Sequence, residues 1–225
     1  MTSSIRKLEP VSLWNHFSDL NAVPRPSKKE ERVIEFMVDF GKKLQLETLV
    51  DGVGNVIITK PATKGFENKK TIVMQSHLDM VHQKNSETVF NFETEGIKMH
   101  INGDWVTADG TTLGADNGLG VATIMSVLES NEMSHPRLEA LFTVDEETGM
   151  TGALQLDENI LKGEILLNLD TEEDDEIGIG CAGGVDITLT KKFEISSDHD
   201  LFFIKITLNG LSGGHSGMEI HKDLG

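Results

Sequence analysis

The sequence predicts an α/β fold, a three-layer αβα domain followed by the start of a second domain. Three observations predict it. Segments with helical apolar spacing alternate along the chain with short apolar runs, which argues for helices layered on a sheet. TIVMQS (71–76) holds the apolar run Ile72-Val73-Met74, and LEALFTV (138–144) and EILLNLD (164–170) are of the same type, as parallel strands buried on both faces are. From about residue 185 the pattern changes: VDITLT (185–190) and LFFIKITLNG (201–210) alternate as antiparallel strands do. The expected boundary therefore lies between residues 1–184 and 185–225.

Each element has a local reason. In residues 10–23, Leu13, Trp14, Phe17 and Leu20 recur at helical spacing, and Pro24 and Pro26 end the run. Ser27 with Glu30 reads as a capping box for the next helix, which carries Val33, Ile34, Met37, Phe40, Gly41 and Leu44 on one face. LETLVD (46–51) and NVIITK (55–60) read as strands joined by a turn at Gly52 and Gly54. Residues 82–112 are polar and read as irregular, and GLGVATIMSVL (118–128) reads as a helix rich in small residues. The second domain would hold barely two strands, too few for a stable sheet by themselves, so the sequence reads as a piece of a larger whole.

Composition narrows the function. The net charge of −17 over 225 residues argues against a nucleic-acid or anionic-membrane partner. The single cysteine, Cys181, rules out an intrachain disulfide and suits a reducing compartment; it reads as a small buried apolar group. The N-terminus lacks the apolar core of a signal peptide, and no apolar stretch is long enough to span a bilayer. A soluble cytoplasmic protein is expected.

Open α/β sheets bind ligands at the carboxyl ends of their strands. There this sequence puts His77-Leu78-Asp79 after the first buried strand, Asp145-Glu146-Glu147 after the second and Asp170 at the end of the third. Asp116 sits among Gly114, Gly118 and Gly120, which let the backbone approach a crowded site. Each residue alone has an ordinary explanation: a strand-end histidine, a helix cap, solvated acids. Together, one imidazole and several carboxylates from distant segments suit a divalent cation, zinc or in its place manganese or cobalt. His77 and Asp79, two apart on a strand, share a side, so the aspartate can orient the imidazole. Glu146 and Glu147 point apart if extended, which suits one to metal and the other to a water.

Other motifs carry less. GIGCAG (178–183) matches a dinucleotide-binding fingerprint but precedes a strand pattern, not a helix. GLSGG (210–214), with Ser212 near His215, matches a nucleophile elbow, but no clear helix follows. A serine hydrolase built on Ser212 and His215 is the rival enzyme class, and a catalytically dead metal-binding or dimerisation module is the rival outside enzymes. Residues 170–181 imitate a calcium loop in charge only, since Asp175 and Cys181 replace the required glycine and glutamate.

SHLDMV (76–81), TTLGADNGLGVA (111–122), TVDEETGMTGA (143–153), NLDTEE (168–173), GCAGG (180–184) and GGHSGMEIH (213–221) together resemble the co-catalytic zinc peptidase family that includes carnosinase and carboxypeptidase G. Within it the likeness is to dipeptidases acting on aminoacyl-histidine substrates, and it extends over the chain from about residue 10. The resemblance implies a zinc-peptidase-like catalytic domain with an inserted lid domain, two divalent metal ions, a dipeptide substrate and a homodimer when full length. It implies His77 and Asp170 as ligands of one metal, Asp116 as the bridging carboxylate with a cis bond to Asn117, and Glu147 as a ligand of the second. It further implies Glu146 as general base, Asp79 as the acid behind the ligand histidine, and His215 as a lid histidine that reaches a partner's site. The family's remaining histidine ligand for the second metal would fall after Gly225, so the 225-residue chain alone is expected to be inactive.

Overall fold

Five strands form a mixed sheet in which the three central-to-edge strands that carry site residues run parallel. In the computed structural model these are β1 (Glu47–Val50), β2 (Val56–Lys60), β3 (Ile72–His77), β6 (Leu138–Thr143) and β7 (Ile165–Asn168), in the order β1-β2-β6-β3-β7. β2 pairs antiparallel with β1 and β6, whereas β3 pairs parallel with both β6 and β7. The structure describes residues 2–171, 175–180, 187–192, 204–208, 210, 212 and 220–222. It resolves into two compact units, Met1–Glu176 and Ile177–Gly225.

The alternation of side chains sorts the first unit into layers. Val56 and Ile58 of β2, Met74 of β3, and Leu138, Ala140 and Phe142 of β6 face the helices. Against them pack Leu20 of α2 (Val11–Asn21), Val33 and Met37 of α3 (Glu31–Lys43), and Val121, Ile124, Met125 and Leu128 of α4 (Ala115–Glu129). The intervening residues Ile57, Val73 and Leu141 point to the other face, where Leu156, Ile160 and Leu161 cover them. Glu139, also buried in β6, accepts from the backbone amides of Lys162 (2.8 Å) and Gly163 (3.0 Å). That tie delivers the chain to the start of β7. The short α1 (Thr2–Ile5) adds Ile5 to a second cluster with Phe17, Met99 and Ala122. Among the described residues, no helix is long and apolar enough to cross a membrane.

Four sequence expectations need correction. Residues 82–112 are not wholly irregular: β4 (Met99–Asn102) and β5 (Trp105–Ala108) form a hairpin about Gly103 and Asp104. Ser27 and Glu30 do not form a capping box, because no side chain caps α3 and both are engaged by other segments, described below. β7 is not buried on both faces: among the described residues it is an edge strand, with Ile165, Leu166 and Leu167 exposed. In the second unit the described residues 187–190 and 204–208 form no strand, and Ile187, Leu189, Ile204, Ile206 and Leu208 are exposed. Alternation makes a segment fit for a sheet, but pairing needs partner strands. The described regular structure of that unit is the 3₁₀ turn Ile220–Lys222.

Phe142 is fully buried against the helical layer, while Leu154 of α6 (Thr151–Leu154) is 77% exposed. Phe142→Ala is expected to lower stability by about 3–5 kcal/mol, and Leu154→Ala to change it by less than about 0.5 kcal/mol. Urea unfolding followed by circular dichroism measures both.

Candidate metal centre

The parallel pairing puts His77 of β3 in register with Thr143 of β6, so both strands end together at one rim. The backbone amide of Leu78 then donates to the Thr143 carbonyl at 2.8 Å, which carries the pairing one step past the strands. Beyond that point β6 turns sharply. Asp145 adopts a left-handed backbone, φ 52°, and opens the short helix α5 (Glu146–Gly149). Three contacts hold this turn. The Asp145 amide donates to Glu30 Oε1 at 3.2 Å, and the Asp145 carboxylate accepts from the hydroxyls of Thr148 and Thr151.

Asp79 lies beneath the turn, fully buried. Its carboxylate accepts from the amides of Glu146 (3.0 Å) and Glu147 (3.2 Å) and from the Ser27 hydroxyl (2.8 Å). It also faces His77 Nδ1 at 3.2 Å, and the Asp79 carbonyl lies 3.1 Å from the same nitrogen. Both neighbours of Nδ1 only accept, so this nitrogen carries a proton and the ring presents Nε2 to the rim. Around Nε2 stand Asp116 Oδ1 at 3.0 Å, Asp170 Oδ2 at 3.8 Å and Glu146 Oε2 at 3.9 Å.

Asp116 reaches this place through a break in its own helix. Asp116 and Asn117 leave helical geometry within the first turn of α4, and the bond between them is cis, as the resemblance implied. The side chain of Asn117 folds back. Its Nδ2 donates to Asp170 Oδ1 at 3.0 Å and to the Leu169 carbonyl at 2.9 Å. One oxygen of Asp170 is thereby tied down while the other faces the imidazole.

The electrostatics suit a bound cation. Burial pushes up the carboxyls of Glu146, Glu147 and Asp170, and their acidic neighbours push them further. Asp116 is the leading charged neighbour of Glu147. Burial would lower His77, yet its hydrogen bonds to Asp116 and Asp79, with the charges of Asp79 and Asp170, raise it to about 10. Burial would raise Asp79, but His77, the Glu146 amide and Ser27 outweigh it and hold it below its ordinary value. A proton on Nε2 and a metal ion compete for the same lone pair. His77, Asp116 and Asp170 offer three ligand atoms within 4.8 Å of one another, a donor set of imidazole and carboxylates that fits a divalent metal.

The structure thus brings His77, Asp79, Asp116, Glu146 and Asp170 together, with Glu147 in electrostatic reach. His215 lies outside the described residues; Ser212 is exposed and in no regular element. Sequence reasoning missed the residues that support the site. Ser27 and Glu30 were spent on a helix cap. Arg25 is fully buried; burial lowers it to about 10 while Asp79, Asp116 and Glu147 pull it back up. Its one signal in the sequence was a charged residue pinned between Pro24 and Pro26.

The sequence and the fold have counterparts among known proteins. The cytosol non-specific dipeptidase of Escherichia coli (strain K12) is 46% identical over 226 residues, which cover 99% of this chain and 46% of that protein. The structure of aminoacylhistidine dipeptidase from Vibrio alginolyticus superposes with a TM-score of 0.74 at 48% identity, over 76% of this chain and 35% of that one. Aminopeptidase PepT from Bacillus cereus gives a TM-score of 0.62 at 29% identity, over 72% of this chain and 43% of that one. The chain spans about half the length of the curated relatives it matches. The model of peptidase family M28 matches residues 55–199, a stretch that holds His77, Asp79, Asp116, Glu146, Glu147 and Asp170, and the chain belongs to that family.

Proposed function

We propose that this protein is a metal-dependent dipeptidase that cleaves dipeptides, aminoacyl-histidine dipeptides among them. The observation that carries the reading is the convergence of Asp116, Asp170 and Glu146 within 3.9 Å of His77 Nε2. Two relatives named as dipeptidases, each at more than 45% identity, support the substrate class. In this reading His77 and Asp170 would hold one divalent ion, Glu147 would hold a second, and Asp116 would serve both. Zinc is the first choice for a mixed imidazole and carboxylate set, with manganese or cobalt able to replace it. The bound metal pair supplies a Lewis acid for the scissile carbonyl and an acidified water.

The chain's own groups do the rest. Glu146 takes a proton from the attacking water on its carboxylate and delivers it to the leaving amine. Its carboxyl, pushed up by burial, holds that proton better than an exposed glutamate would. Glu146 and Glu147 divide the labour because an oxygen committed to metal is a poor proton carrier. Asp79 keeps the His77 proton on Nδ1 and so keeps Nε2 available as a ligand. His215 is assigned to polarise the substrate carbonyl from a partner subunit of a homodimer. The cytoplasm is the proposed compartment, in keeping with one cysteine in 225 residues.

In a protein of the relatives' full length, Glu146→Gln is expected to lower kcat by about 10²–10⁴ while zinc content by elemental analysis stays unchanged. A chelator is expected to abolish hydrolysis of an Xaa-His dipeptide, and added Zn²⁺ to restore it. Turnover that survives complete metal removal would overturn the reading.

Metal uptake is expected to strengthen with pH. His77 is raised from 6.5 to about 10 in the metal-free fold, so the stability carried by its proton is full below pH 6.5 and fades as pH rises through about 10. Metal must displace that proton, so Zn²⁺ affinity should rise about tenfold per pH unit between pH 6.5 and 8.5. The gap in Tm between zinc-loaded and metal-free protein should widen over the same range, as scanning fluorimetry would record.

A further inference from the structure

Arg25 lies wholly inside the protein, yet its fork points at backbone rather than at a carboxylate. Nη1 donates to the carbonyls of Leu78 (3.1 Å) and Asp79 (3.2 Å). Nη2 donates to the Gly114 carbonyl (2.6 Å) and to Asn21 Oδ1 (3.0 Å). Asn21, also buried, passes the connection on, its Nδ2 donating to the Leu113 carbonyl at 3.0 Å. Four carbonyls from two segments are therefore gathered on one guanidinium–amide pair. One segment, Leu78–Asp79, directly follows His77. The other, Leu113–Gly114, ends two residues before Asp116.

The surrounding backbone is shaped to this side chain. A Cβ at Gly114 would stand 2.5 Å from Arg25 Nη2, and one at Gly118 would stand 2.7 Å from it. Gly114 also has φ +70°, a conformation L side chains rarely adopt. Burying a cation costs several kcal/mol, and an apolar side chain of the same volume would fill the space without that cost. What the apolar side chain could not do is hold two carbonyl pairs at a fixed distance. A planar guanidinium with donors on both arms can, and a lysine ammonium, a flexible point charge, cannot.

We propose that Arg25, with Asn21, is a positioning residue of the metal centre: it sets the separation between His77 and Asp116, whose ligand atoms lie 3.0 Å apart across the two segments it joins. The proposal rests on the metal-centre reading above. It gives Arg25 no contact with substrate and no part in proton transfer. Its effect passes through the placement of the first metal's ligands.

The test is Zn²⁺ affinity at fixed pH, by competition with a fluorescent chelator, beside the Tm of metal-free protein. Arg25→Lys keeps the charge and removes the fork. It is expected to weaken Zn²⁺ binding at least tenfold at a temperature where circular dichroism shows it folded. Arg25→Met is expected to weaken it as much. A structural filler would lower the metal-free Tm of Arg25→Lys and leave the affinity alone. A purely electrostatic role would leave Arg25→Lys like the wild type and alter only Arg25→Met. Either result overturns the proposal. If the arginine variants do not fold, Asn21→Ala decides: it keeps the guanidinium but removes the Leu113 tie and one acceptor of Arg25 Nη2, and it should weaken Zn²⁺ binding at least threefold, whereas unchanged binding overturns the proposal. Wild-type protein that takes up no Zn²⁺ overturns both this proposal and the metal-centre reading, whereas uptake by the wild type with equal uptake by Arg25→Lys overturns this one alone.

Discussion

The buried carboxylate of Asp79 is the constraint on which the rim of the sheet depends. A carboxylate out of contact with water must have its oxygens satisfied or lose its charge. Here the donors come from three separate stretches of chain: the Ser27 hydroxyl, the His77 ring and the amides of Glu146 and Glu147. The cost of burial is thus met only when the end of β3, the turn after β6 and the loop before α3 are all in place. A single group converts desolvation into position. It also selects the tautomer of His77, so one contact fixes both where the imidazole stands and which nitrogen it offers.

The acids around His77 are assembled against their mutual repulsion, and the fold spends several devices on holding them. Glu30 anchors the amide of Asp145, two threonines saturate its carboxylate, and the Asn117 amide binds one oxygen of Asp170. None of these groups reaches Nε2. They keep backbone turns and carboxylate faces in orientations that free side chains would leave. Parallel pairing is what makes the arrangement possible, because it sends β3, β6 and β7 to the same rim, and chain segments 93 residues apart meet there in Asp170 and His77.

Much of this was legible in the sequence, because burial leaves a plain mark. The runs that became β3 and β6 were recognisable from their apolar character, and the ligand residues from their place just after such runs. What was illegible depended on partners distant in sequence. Ser27 and Glu30 have the spacing of a helix cap, yet Asp79 and the Asp145 amide, 52 and 115 residues away, engage them. The β4–β5 hairpin was hidden because its outward face mixes polar His100, Asn102 and Thr107 with the exposed Trp105, and only the Asn102-Gly103-Asp104 turn hinted at it. Arg25 was hidden because a hydropathy pattern counts a charged side chain as surface. The apolar run of β7 suggested a buried strand, and the same composition also fits an edge.

That edge has a consequence for how the molecule behaves in bulk. Among the described residues β7 has one strand neighbour, β3, and shows three exposed aliphatic side chains, Ile165, Leu166 and Leu167. Such a border is a template for any extended polypeptide, another copy included. Opposing it is the long-range repulsion between molecules that each carry a net charge of −17. Dissolved ions shorten the reach of that repulsion but leave aliphatic attraction and backbone pairing largely intact. Colloidal stability is therefore a matter of ionic strength.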